Sequence, residues 1–223
     1  MDKYTSGFDL KPWVRKVIKL LLLVSVLFVI YFCFTTTESK SIFACHTRNI
    51  QEYWTAYTGP WFHGSVDHLT SNIISLTGLG MLFLVYFSMN SFWKFWVIQF
   101  LISSNILFFL GDSGEHHLGA STWVYSFAGY LLSISLISKN RRIKSMALII
   151  ALWYGTMWWG LLPLIPNVSH EGHISGLITG VLIAIWKMPE WQQELAQEPA
   201  WLEPNEQRND KTPNPYDSLT DEE

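Results

Sequence analysis

The chain has little of what a soluble or secreted protein is built on. Of its 223 residues only 15% are charged, and cysteine occurs twice. Two cysteines, Cys33 and Cys45, exclude a disulfide framework. One bridge between them stays open, because both fall near or beyond the outer end of the first apolar run. The net charge is only −3, with basic residues in short clusters beside apolar runs. No face is left to track phosphates, which excludes nucleic acid as a partner. Nor is any segment between the apolar runs long enough to form a soluble domain.

What is present is apolar: 49% hydrophobic and 16% aromatic residues, twelve of them Trp, with a mean hydropathy of +0.19. That profile is a membrane protein's. A bilayer core takes about 20 mostly apolar residues per helix, and six windows qualify: 14–34, 68–87, 93–110, 119–138, 143–162 and 172–187. The first run, Val17 to Phe34, follows Lys11, Arg15, Lys16 and Lys19. It is too long for a signal peptide and no small-residue cleavage site follows it, so it reads as a retained helix. The organisation expected is an N-terminal segment over 1–13, an all-α polytopic membrane domain over 14–187, and an acidic tail over 188–223. Despite Trp191, Trp201 and Tyr216, the tail has too little apolar surface to offset ordering entropy beyond one short helix near Trp191 to Gln197.

Basic residues set the orientation. Lys11 to Lys19, Lys94, the run Lys139 to Lys144, and Lys187 all fall on one side, which becomes cytoplasmic together with both termini. The loops on the opposite side carry only Lys40 and Arg48.

Polar groups within membrane spans are costly unless paired or facing a cavity, so they mark function. Three clusters qualify, all in the outer part of the bilayer by this topology: His63 to Asn72 entering the second helix, Gly119 to Tyr125 opening the fourth, and His170 to Gly176, followed by Gly180, opening the sixth. His68 and Asn72 are four apart and share a helix face, as do Ser121 and Tyr125. Gly176 and Gly180 form a small-xxx-small surface that admits a neighbouring helix. If that neighbour is the fourth helix, with Gly129 facing it, Ser121 and His173 approach as nucleophile and base.

His63 x4 His68 x3 Asn72, then Gly119 x Ser121 at a helix start, then His173 x2 Gly176 x3 Gly180 in the last helix, together resemble the rhomboid intramembrane serine proteases in their six-helix bacterial form. The resemblance covers roughly 10–187. It implies a six-transmembrane-helix bundle in a bacterial inner membrane, with a Ser–His dyad and no carboxylate: Ser121 as nucleophile and His173 as general base. It further implies an oxyanion hole from His68, Asn72 and the Ser121 backbone N–H, Tyr125 packed on His173, and His63 shaping the outer loop. Substrates would be transmembrane proteins entering from the lipid between the second and fifth helices, with Trp153, Tyr154, Trp158 and Trp159 as a gate. The chain departs from the family in two places. Thr122 stands where Gly usually follows the nucleophile, which questions the oxyanion geometry. Trp54, Trp61 and Arg48 are dispersed where the first loop often has an adjacent Trp–Arg pair.

Other readings weigh less. Gly111, Asp112, Ser113 and Gly114 mimic the serine motif of trypsin-like proteases, but those need a β-barrel, so this is an outer turn. His46, His116 and His117 read as loop histidines. A zinc enzyme or metal transporter built on the outer histidines lacks the His-Glu-x-x-His spacing and a membrane-embedded carboxylate to complete a site, so neither metal nor organic cofactor is expected. A catalytically dead relative that only binds transmembrane helices is the remaining alternative.

Overall fold

Helix starts follow caps written in the sequence. Ser65, Ser88 and Ser169 each accept a backbone N–H from three residues on, those of His68, Ser91 and Gly172, and so satisfy donors that a helix N-terminus leaves open. The computed structural model describes residues 10–34, 36–164 and 168–196. In chain order they form α1 (Leu10–Cys33), α2 (Thr37–Phe43), β1 (Cys45–His46), α3 (Thr55–Thr58), α4 (Val66–Tyr86), α5 (Met89–Leu110), β2 (His116–His117), α6 (Ser121–Ile137), α7 (Arg141–Trp153), α8 (His170–Trp186) and α9 (Met188–Ala196). The chain is an all-α polytopic membrane protein whose bundle is made of α1, α4, α5, α6, α7 and α8.

Five of the six expected windows match these helices to within a few residues. The fifth does not. The window 143–162 predicts one continuous helix, whereas α7 ends at Trp153 and Gly155–Leu161 is a 3-10 segment. Gly155 and Gly160 each disfavour helix by about 1 kcal/mol relative to Ala, and Pro163 follows. By length and hydropathy α1, α4 and α5 qualify as membrane spans. At 1.5 Å per residue the 13 residues of α7 reach only about 20 Å of a roughly 30 Å hydrocarbon layer.

Helix α6 is the axis of the bundle, with every residue from Thr122 to Leu131 buried. Phe127 packs among Phe83, Phe92, Phe95 and Trp96. On the periphery α1 buries one stripe, Leu20, Val24 and Leu27, against α4. Its other face is apolar and exposed, with Leu22 at 63%, as expected of a surface in lipid. Lys16 Nζ donates to Leu84 O and Phe87 O at the C-terminal end of α4.

Helix α9 extends the packing past the boundary expected at 187. Trp191 is buried in the core and donates from Nε1 to Ala184 O at 2.7 Å. Glu194 accepts from Ser88 N and Ser91 Oγ, both at 2.6 Å, and thereby closes the N-terminus of α5. The remainder of the tail expected over 188–223, from 197 on, and the segment 1–9 lie outside the described residues.

The long first loop folds over the opposite end of the bundle. Its β1 pairs antiparallel with β2, Cys45 opposite His117 and His46 opposite His116. Tyr53 donates to Asn105 Oδ1 of α5, and Asn105 Nδ2 donates to Tyr57 OH. The dispersed residues are each used: Trp61 meets Trp123 edge-on, Trp54 meets Phe43, and Arg48 reaches Leu110 O. Cys33 is exposed on α1, Cys45 is buried in β1 and both are free thiols, so the bridge left open between them is not formed.

Candidate active site

The three polar clusters converge at the first-loop end of the bundle. They surround an open cavity of about 1070 Å³ whose lining includes His68, Asn72, Ser121, Tyr125 and His173. Ser121 is the first residue of α6, and the left-handed Gly119 just before it (φ +112°) directs the chain there. A side chain at Gly119 would collide with the imidazole of His68, its Cβ only 2.6 Å from Nε2. Gly119 therefore serves both the turn before the serine and the space for His68. Ser121 is half-buried, and its Oγ makes no hydrogen bond among the described residues, to His173 included.

His173 is buried in the first turns of α8, its ring stacked on that of Tyr125 at 4.1 Å and 15°. Its Nδ1 is 2.7 Å from Gly160 O. A carbonyl only accepts, so Nδ1 carries the proton and Nε2 is left with a free lone pair. The same 3-10 segment fixes the stacked tyrosine, because Tyr125 OH donates to Met157 O. The break in the fifth span thus has a use: two carbonyls that a continuous helix would bond internally turn inward to orient Tyr125 and His173. Gly160 escapes notice in the sequence, yet a Cβ there would lie 2.8 Å from His173 Nδ1. Its only advance signal is that it shares an apolar window with Gly155.

His63 has a larger part than loop shaping. It is 1% exposed, and its Nε2 accepts from Asn72 Nδ2 at 3.0 Å and from Ala120 N at 3.2 Å. It thereby joins the first cluster to the residue before Ser121, in the second. Burial, with His68 close by, pushes its pKa down to about 3, so it is neutral and able to accept. One amide hydrogen of Asn72 is committed to His63 and the other is free to face the cavity. His68 lies edge-on to His63 at 5.2 Å.

Contact between α6 and α8 runs through glycine, as the small-residue pattern predicts. A Cβ on Gly176 would strike Thr122 O, one on Gly180 would strike Ser126 O, and one on Gly129 would come within 2.7 Å of Leu177 O. Thr122 does not project into the cavity. It is 3% exposed, and its Oγ1 would be 3.2 Å from a Cβ on Gly172. The missing side chain at Gly172 accommodates the one that Thr122 adds.

Gly111 is buried against Thr47, and Asp112 to Gly114 form an exposed turn, with Gly114 left-handed (φ +86°) and Thr47 Oγ1 donating to Asp112 O. His46 stacks on His116 at 4.1 Å. His117 lies in the loop between α5 and α6, as expected, but is buried there. Ligand atoms of Glu115, His117 and Glu171 all lie within 4.8 Å of one another. Glu115 and Glu171 are 56 positions apart, so spacing along the chain gave no sign of this.

A family model described as Rhomboid domain matches residues 50–190, and the chain belongs to the rhomboid family. An uncharacterized protein of Mycobacterium tuberculosis is 26% identical over 139 residues, covering 59% of this chain and 58% of that protein. A RHOMBOID-like protein 5 of Arabidopsis thaliana is 28% identical over 140 residues, 60% of this chain and 45% of that protein. The chain thus matches less than two thirds of the length of these relatives.

Proposed function

We propose that this protein is an intramembrane serine endopeptidase that cleaves transmembrane-helix substrates. The observation that carries the reading is the fixed tautomer of His173. With Nδ1–H given to Gly160 O, Nε2 is a base without a partner, lining the same cavity as Ser121. In the reaction, Nε2 takes the proton of Ser121 Oγ as the oxygen attacks the scissile carbonyl, and returns it to the leaving amine. His68, the free amide hydrogen of Asn72 and the Ser121 N–H, at the start of α6, supply donors for the oxyanion. Water for deacylation enters through the open cavity, because lipid supplies none.

The reading also places the cavity on the outer face of a bacterial inner membrane, since the basic clusters lie at the other end of the helices. Substrate enters from the lipid between α4 and α7. In support, Trp153 is 76% exposed beside a second opening lined by Ile74, Ser75, Trp153, Tyr154 and Met157.

A helix-binding protein without activity is the second reading, and the unbonded Ser121 Oγ favours it. Hydrogen bonds between catalytic groups are often long until substrate is bound, which returns weight to the protease. The deciding experiment is cleavage of a fluorescent transmembrane substrate by the purified protein in detergent. Activity that Ser121→Ala and His173→Ala both abolish is expected. Inactivity on several substrates, with no labelling of Ser121 by a serine-reactive probe, would select the binding protein.

A further inference from the structure

One wall of the cavity gathers donors that the hydrolysis above does not use. Glu115 precedes β2, His117 ends it, and Glu171 lies in the first turn of α8. His117 Nε2 is 3.4 Å from Glu115 Oε2, and one ligand atom of Glu171 is within 4.8 Å of both partners. Ligands 2.0 to 2.2 Å from a shared small cation lie roughly 3 to 4 Å from one another, so modest closure suffices.

Two features distinguish this cluster from crowded surface acid. The first is His117 itself: 7% exposed, with Nε2 buried and making no hydrogen bond. Its other nitrogen, Nδ1, is 2.7 Å from Ser169 Oγ, which also receives Gly172 N–H as the cap of α8. Donation from Nδ1 to that oxygen leaves a lone pair on Nε2 beside the two carboxylates. A ligand histidine is commonly oriented in this way, by a hydrogen bond from its second nitrogen. The second feature is the lack of a fixed counter-charge. Among the described residues no Lys or Arg is ion-paired with Glu115 or Glu171. Glu171 has His170 Nε2 at 3.0 Å from Oε1, and the carboxylates of Glu115 and Glu171 come within 4.8 Å of each other, where they repel. A mobile cation would relieve that repulsion.

We infer that Glu115, His117 and Glu171 form a binding site for a single divalent cation of the zinc class at the mouth of the cavity. One imidazole with two carboxylates suits Zn²⁺ or Co²⁺, whereas Ca²⁺ takes six to eight oxygens. The site joins β2 to the first turn of α8, two residues before His173, and a bound ion would stiffen that wall. It stands independently of whether Ser121 is a nucleophile.

The test uses the full chain in detergent, stripped with chelator and titrated with Zn²⁺ by equilibrium dialysis, with Co²⁺ absorption as a second signal. One ion per chain is expected, with a rise in unfolding temperature at saturation. Glu115→Gln and Glu171→Gln should each weaken binding by about tenfold or more, with unfolding of the metal-free protein little changed. His46→Ala, on the neighbouring histidine pair, should leave binding intact. Absence of saturable binding, binding unaffected by both Gln variants, or binding removed by His46→Ala would overturn the assignment.

Discussion

Tyr125 lies almost parallel on the imidazole of His173, ring centres 4.1 Å apart, and each ring is tied to a different carbonyl of the Gly155–Leu161 segment. Stacking restricts tilt of the imidazole, and the Gly160 bond restricts its rotation. On the protease reading, Tyr125→Phe keeps the stack and should retain most activity. Tyr125→Ala frees the ring and should lower kcat by about 10-fold to 100-fold, the scale of misplacing a catalytic group by about 1 Å. Comparing kcat with KM for the two variants checks this, since KM should change little.

The buried His63 makes the first-loop end sensitive to acid. Its folded pKa of about 3 lies below the 6.5 of an exposed histidine, so the unfolded chain takes the proton first. The stability that neutral His63 contributes is complete above about pH 6.5 and is lost as pH falls toward 3, at up to about 1.4 kcal/mol per pH unit. His63→Gln keeps an acceptor without the titration. Its unfolding temperature should fall less steeply than that of wild type over this window, and parallel curves would show that His63 is not the cause.

Gly176 and Gly180 admit backbone carbonyls of α6 where a methyl group has no room. Gly176→Ala should therefore destabilise the bundle by about 1 to 3 kcal/mol, the usual cost of overpacking. Gly64, with nothing near its Cβ, is the control, and Gly64→Ala should be neutral in the same thermal denaturation.

Because Thr122 is turned toward Gly172, the side chain that departs from the family pattern should matter to packing more than to chemistry. Thr122→Gly should lower stability by about 1 to 2 kcal/mol through helix propensity and a small void. Specific activity at a temperature where both forms are folded should stay within about twofold to threefold, well under 1 kcal/mol in barrier.

Tyr154 bridges the seam where substrate would enter, its OH donating to Ser75 O at 3.3 Å and occupying the space a Gly78 side chain would fill. If α7 swings to admit a helix, Tyr154→Ala should speed cleavage of a transmembrane substrate while leaving that of a short soluble peptide unchanged. Equal rates on both would place entry elsewhere.

Much of this was legible in the sequence because lipid imposes a simple rule. Apolar windows found the helices, and polar residues inside them found His68, Asn72, Ser121 and His173, since each must be bonded or face a cavity. Composition could not reveal backbone used in place of side chains. The carbonyls of Met157 and Gly160 carry no signature, and the window 143–162 hid the break that turns them inward. Long-range convergence was equally invisible. His63 reads as shaping the outer loop until Ala120 is brought to it from 57 positions away, and Trp191 reads as part of a tail until Ala184 is seen to accept its N–H.

Glu194 has a practical consequence for anyone handling the protein. As it caps α5 and Trp191 is buried, a reporter or affinity tag joined directly after Lys187 would remove two anchors at once, while one joined beyond Ala196 keeps both. Activity measured on a chain cut at 187 would then report the loss of a clasp between α9 and α5 rather than the competence of the proposed dyad.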